Sequence, residues 1–365
     1  MRLNEEQQML QDYAQRLLAE QGPIEHLRAL RNERNELGYD KPLWQAMHEA
    51  GWCGLLAPEE HGGLDFGHLG AGLIAFEIGR HLSVSPFLST TVMATQAISQ
   101  GGTKAQQAHW LSKIVAGDTL FALAIDEEHK HQPDSIEATV TENDGQLILN
   151  GQKNLVLDGH VADVFLVAAK REQRLELFLV ERNTHGIEVE RTIMVDSRNS
   201  ARVNFNNVTV QALDNGHTAY EAALLSGRAV LAAELAGVAQ SAFEQTLEYL
   251  NERKQFNVHI GSFQALQHRA AHLYAETAMA KALAMRALQA IDNKEEDTAA
   301  LVFASKAKAN QVARLAVSEA VQMHGGIGMT DEFNIGFYMK RARAAIETLG
   351  DTSYCSRQFA AAKGY

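Results

Sequence analysis

Cysteine, proline and positive charge are all scarce in this chain, and each scarcity excludes something. Cys53 and Cys355 are the only cysteines in 365 residues, too few and too far apart for a disulfide framework. Only five prolines interrupt a sequence rich in Ala and Leu, so long unbroken helices are expected. Lys and Arg number 33 against 45 Asp and Glu, a net charge of -12. That balance argues against a nucleic-acid partner, because phosphate backbones are gripped by clustered cations. It leaves a small anionic ligand open, since a few local basic residues serve an anion whatever the total. No apolar run has the length and character of a membrane span. The opening MRLNEEQQML is polar and acidic, unlike a secretory or transit segment. These absences together point to a reduced, cytoplasmic protein.

What is present suggests two or three domains. Residues 1–116 read as helices: Asn4 is placed to cap Glu5 and Glu6, and Met9, Leu10, Tyr13, Leu17 and Leu18 keep a helical period. Gln21-Gly22-Pro23 ends that helix. Further helices are expected near Pro42 to Ala50, Ile74 to His81 and Ser85 to Ser99. Between them, Gly51 to Leu64 carries paired glycines but no Lys-Ser/Thr sequel, so it reads as a structural turn rather than a phosphate loop. Residues 117–215 read as a β domain. Short apolar runs at Phe121–Ile125, Ile136–Val140, Leu147–Leu149, Val164–Val167, Leu175–Val180, Arg202–Phe205 and Val208–Val210 are separated by turn signals such as Asn143-Asp144-Gly145. Residues 216–365 are helical again, with Ala-rich runs at 220–251, 264–292, 297–324 and 333–349 joined by short connections, the pattern of a four-helix bundle. The predicted class is therefore α+β.

Two stretches of the last segment carry chemistry. Gln322-Met323-His324-Gly325-Gly326-Ile327-Gly328 ends a helix, and Gly350-Asp351-Thr352-Ser353 ends the next run. By spacing alone the first is a glycine-rich link between packed helices, or a place where backbone approaches a flat or anionic ligand. Upstream, Arg253-Lys254-Gln255-Phe256 leads to Ile260 and Phe263-Gln264. R-x-Q-F-x-x-x-I-x-x-F-Q followed by Q-x-H-G-G-x-G resembles the acyl-CoA dehydrogenase family, as do the segment from Gly51 to Leu64 and the α–β–α order. The resemblance implies an acyl-CoA dehydrogenase-like fold and FAD as cofactor. It places Arg253, Phe256, Gln264, Gln322, Gly325, Gly326 and Thr352 at the flavin dinucleotide, most of which a neighbouring subunit houses. It further implies an acyl-CoA substrate, an electron-transfer flavoprotein as acceptor, and a homotetramer or an α2β2 pairing with a paralogue.

The sequence departs from the family where the reaction is run. The two positions at which the family usually carries its glutamate base fall on Gly350 and Gly227, and neither is a base. Asp351 is the replacement candidate, in a Gly-Asp turn that resembles bacterial members acting on steroid-derived CoA esters. It is equally placed to cap the helical tail that follows. Arg228 matches an arginine near the family's active site, with a surface ion pair as the plain alternative. Glu234 is a second base candidate in an apolar run, or else a helix-surface or interhelical hydrogen-bonding group. Where the family turns on "T-E-P" and later presents an aromatic and a Thr to the flavin ring, this chain has Asp126-Glu127-Glu128 and Asn154-Leu155-Val156-Leu157. Two readings follow: an FAD-linked acyl-CoA dehydrogenase for a bulky thioester, or a catalytically silent subunit completing the flavin site of an active paralogue. Lys306 and Lys308 read as a solvated helix face or a CoA phosphate contact. His129, His131, His268 and His272 lack the partners of a metal site.

Overall fold

The computed structural model describes residues 3–365. Helix α1 (Glu5–Gln21) starts in a reciprocal cap, in which the Asn4 side chain accepts from Gln7 N and the Gln7 side chain accepts from Asn4 N. After α2 (Ile24–Glu33), α3 (Lys41–Glu49) begins with Asp40 accepting from Leu43 N and Pro42 in its first turn. Helix α4 (His68–His81) receives its cap from far away: the Asp292 carboxylate accepts from His68 N and Leu69 N. The next expected helix opens as π-helix over Phe87–Ala94, wholly buried, before α5 (Thr95–Gly101) and α6 (Lys104–Val115). Apolar periodicity is nearly blind to this change of winding.

Seven strands follow: β1 (Phe121–Ala124), β2 (Thr139–Asn143), β3 (Gln146–Leu157), β4 (Val164–Arg171), β5 (Arg174–Glu181), β6 (Ile187–Ile193) and β7 (Asn199–Ala212). Pairing runs β4–β2–β3–β7–β5 and returns to β4, while β1 joins β4 in parallel and β6 pairs β7. The circuit leaves few open edges. Asp144 and Gly145, both at positive φ, make the two-residue β2–β3 hairpin. The two short runs expected at 202–210 are one strand, β7, because it serves β3, β5 and β6 in turn. Strand β6 escapes sequence reading because its alternate residues are Glu188, Glu190 and Thr192 on an edge with no deeply buried side chain.

The helical third comprises α7 (Gly216–Glu252), the minimal hairpin β8 (Lys254–Gln255) and β9 (Val258–His259), then α8 (Gln264–Asp292), α9 (Thr298–His324), α10 (Ile335–Glu347) and α11 (Thr352–Ala362). Helix α7 corrects the expectation that no run is of membrane-span length: it is long and apolar enough, but 89% of its most apolar window is buried inside the fold, as in a core helix. The chain forms two compact units. One contains α1, α4 and everything from Arg228 onward; the other contains residues 29–67 and 84–227, with the sheet.

In the first unit α4 and α7 cross at van der Waals contact through glycines. A Cβ on Gly237 would lie 1.9 Å from Phe76 O, and one on Gly79 would lie 2.0 Å from Glu234 O. Backbone cannot yield as a side chain can. Gly237→Ala should therefore lower stability by about 1–3 kcal/mol or more, read as a drop in the thermal midpoint. An unchanged midpoint would mean that the helices are not this close.

Candidate functional site

Between α10 and α11 the chain reverses through Leu349 (φ +58°) and Gly350 (φ +116°). A Cβ on Gly350 would meet Tyr354 Cδ1 at 2.5 Å and Cys355 Sγ at 3.2 Å. The backbone angle and the neighbours both exclude a side chain there, so a glutamate at this position is not compatible with the turn. The next residue, half-buried Asp351, is the N-cap of α11, and its Oδ1 accepts from Tyr354 N at 2.7 Å. Thr352 follows with its Oγ1 buried and unpartnered.

Arg228 is buried, which removes the surface ion pair from consideration. Its Nε donates to Leu349 O at 3.0 Å, and its guanidinium lies over the rings of Phe303 and Tyr354 at 5.1 and 5.6 Å. Arg228 and Asp351 thus flank one turn. Glu234 is also buried and pairs with Arg341 at 3.1 Å, while Arg341 donates to Leu82 O and Ser83 O. The interhelical alternative holds for Glu234.

Lys306 corrects the sequence reading outright. It lies on no solvated face: it is fully buried, and its Nζ reaches Asn310 Oδ1 at 2.7 Å and the carbonyls of Ala345, Ile346 and Gly350 at 3.2–3.3 Å. A helical lysine is solvated by default, so sequence had no signal for this. Lys308 is tied to Glu276 at 2.6 Å.

The other motif residues gather at the far end of α9, about 27 Å along the helix from Lys306. Tyr249 stacks on buried His324, ring centroids 4.4 Å apart, and this contact joins the 249–264 segment to the 322–326 segment. Phe256 and Asn257 form the two-residue turn of the β8–β9 hairpin, both at positive φ. Phe256 is 86% exposed there, and a bulky side chain in this backbone region is strained. The side chains of Arg253, Gln264 and Gln322 are exposed and bond to nothing among the described residues. Gly325 (φ +68°) and Gly326 have open space where a Cβ would sit.

In the other unit, Lys153 joins two segments that the sequence singled out separately. Its Nζ donates to Ile125 O at 2.9 Å and Glu127 Oε1 at 2.7 Å, and Glu127 also accepts from Glu137 N and Ala138 N. Asp126 is occupied by His131 Nδ1 and Gln132 N. Leu155 stands beside them at φ +52° and half exposed. His268 and His272 are exposed on α8, and no metal-suited cluster of three His, Cys, Asp or Glu occurs among the described residues.

Sequence profiles of the acyl-CoA dehydrogenase N-terminal, middle and C-terminal domains match residues 4–118, 124–208 and 214–362. The chain belongs to the acyl-CoA dehydrogenase family. It is 31% identical over 349 residues to acyl-CoA dehydrogenase IpdE2 of Mycolicibacterium smegmatis, covering 95% of this chain and 96% of that one. Mitochondrial isovaleryl-CoA dehydrogenase of Arabidopsis thaliana is 28% identical over 335 residues, 86% and 80% of the two chains. Among solved structures, a variant of the Tcur3481-Tcur3483 steroid ACAD superposes with a TM-score of 0.92 at 28% identity, covering 98% of each chain.

FAD is this family's cofactor, and the residues present fit it unequally. At the exposed end, one uncommitted guanidinium, two free amides and two open glycines suit the anionic, flat ADP half. In the sheet unit, Leu155 and Leu157 offer no hydrogen bond, and the Asp126 and Glu127 carboxylates are already engaged. Ring atoms placed there would rely on backbone groups. The Lys153–Glu127 link gives a pH test. Burial pushes the Lys153 ammonium down from 10.5 to about 8, against the pull of Glu127 and Asp126. Between those values the folded chain binds fewer protons than the unfolded one, so this group's contribution rises with pH and is lost as pH falls through 8. Urea unfolding at about pH 7.5 and about pH 10 should show the wild type gaining stability relative to Lys153→Met. No relative gain would contradict the buried ammonium.

Proposed function

We propose that this chain is an FAD-dependent acyl-CoA dehydrogenase acting on a bulky, ring-bearing acyl-CoA thioester, with Asp351 as the base. The observation that carries this reading is the pairing of an impossible side chain at Gly350 with an oriented carboxylate one residue later. Aspartate is one methylene shorter than glutamate and starts one residue further on, so it serves an α-carbon placed differently from that of a linear chain. The similarity to a steroid ACAD supports a large substrate.

Asp351 takes the α-proton, with geometry set before acidity matters. Arg228 holds the Leu349 carbonyl and packs on Tyr354, keeping the carboxylate turn closed against the bundle. Arg253, Gln264, Gln322, Gly325 and Gly326 hold the ADP half of FAD, Phe256 packs against it, and Thr352 offers its unpartnered hydroxyl. FAD, when bound, would supply the acceptor for the β-hydride of the thioester. The exposure of Phe256, Arg253 and Gln322 suits a second chain, a copy or a paralogue, closing over that end, and an electron-transfer flavoprotein is the onward acceptor. Solved steroid ACAD chains of this fold in two-component complexes favour the paralogue.

Two substitutions separate these roles. Asp351→Asn should keep its flavin while anaerobic flavin reduction slows by about 10²–10⁴-fold, measured with butyryl-, isovaleryl- and cholanoyl-CoA; full-speed reduction would remove Asp351 as base. Arg253→Ala should weaken FAD retention by about 10–100-fold, the weight of a charge-assisted hydrogen bond. Unaltered flavin content after gel filtration would take Arg253 out of the cofactor site.

A further inference from the structure

The buried Lys306 has no part in the chemistry described so far, yet it touches the turn that carries it. The α10–α11 reversal needs an external hold. Leu349 sits in a left-handed conformation that a branched side chain disfavours, and the last carbonyls of α10 have no partner within their own helix. Four oxygens converge on the Lys306 Nζ: Asn310 Oδ1, Ala345 O, Ile346 O and Gly350 O. Asn310 Nδ2 adds a second bond to Gly350 O at 3.3 Å, and Cys355 Sγ approaches the same oxygen at 3.5 Å. The carbonyl of Gly350 and the amide of Asp351 belong to one rigid plane. Fixing that oxygen from α9 therefore fixes the direction in which Asp351 leaves the backbone. The cap to Tyr354 N fixes the carboxylate from the other side.

We propose that Lys306, assisted by Asn310, is the positioning residue for Asp351, holding the Gly350 carbonyl so that the carboxylate keeps one reactive placement. This rests on Asp351 being the base. A purely space-filling role would call for an apolar side chain, and burying an ammonium is worthwhile only where its three protons are all used. Here three protons meet four acceptors. Burial pushes the ammonium down to about 8; Arg228 pushes the same way, while Glu347 and Asp351 oppose it. Cys355 is itself held as the thiol by burial. Above pH 8 the amine loses one of its donors, and the hold on the turn weakens.

The test compares Lys306→Met, which fills the same space without the bonds, with wild type and with Asp351→Asn, all as holoenzyme. In Lys306→Met the amides of Tyr354 and Cys355 should exchange with deuterium roughly tenfold faster, while those in the middle of α8 stay unchanged. Flavin reduction, with whichever of butyryl-, isovaleryl- and cholanoyl-CoA reacts fastest in wild type, should fall about 10²-fold. Half-saturation should hold steady, the alkaline limb of the pH profile should disappear, and the substitution should add nothing to Asp351→Asn. Should Lys306→Met fail to fold, Asn310→Ser removes only the amide contacts and should move both readouts the same way by less. Wild-type exchange together with wild-type turnover per bound flavin, beside an inactive Asp351→Asn, overturns this inference alone, as does a lower melting temperature without those two changes. Full turnover by Asp351→Asn overturns the base assignment and this inference with it.

Discussion

The carbonyl oxygen of Gly350 is the point on which this site depends. Helix α9 reaches it through Lys306 and Asn310, α11 through Cys355, and α7 holds the preceding carbonyl through Arg228. Three helices are thus tied to a two-residue reversal that is strained by itself. The strain persists because buried Lys306, Asn310 and Cys355 all hold the Gly350 oxygen. One consequence is that no side chain fits at Gly350. The other is that the residue after it is a carboxylate with its backbone plane and its cap both determined.

The two ends of α9 are built on opposite terms. Around Lys306 the polar groups are desolvated and bonded inside the chain, and the nearby Glu234–Arg341 pair follows the same rule. Around His324 the Arg253, Gln264 and Gln322 side chains are exposed without partners among the described residues, and Phe256 stands in solvent. An internally satisfied end holds a fixed geometry; an unsatisfied end waits for something outside the chain. The glycine crossing of α4 and α7 stiffens the frame between them, since backbone packed on backbone has little room to adjust.

Much of this was legible in the sequence because it is local. The Asn4 cap, the Asp144-Gly145 hairpin and the four Ala-rich helices follow from side-chain chemistry within a few residues, and the motif around Arg253 and Gln322 is itself contiguous. Asp351 was visible as a cap from its place before the helical tail. What could not be read was non-local. Lys306 looks like any helical lysine until four acceptors, three of them some 40 residues away, surround it. The joining of Glu127 to Lys153 is likewise a tertiary fact, as is the allegiance of α1 and α4 to the C-terminal helices. Strand β6 was missed because a charged edge strand carries no apolar alternation strong enough to declare itself.

In the sheet unit Lys153 is tied to Glu127, and Leu155 and Leu157 stand where the resemblance leads one to expect hydrogen-bonding side chains. The central claim is that the remaining groups still make this chain a working flavoenzyme. The visible spectrum of the chain purified by itself, before and after anaerobic addition of cholanoyl-CoA, tests it most directly. The account predicts an equimolar flavin band that bleaches on addition of the thioester. A colourless chain that yellows only beside a paralogue, or a flavin band that no thioester bleaches, would contradict it.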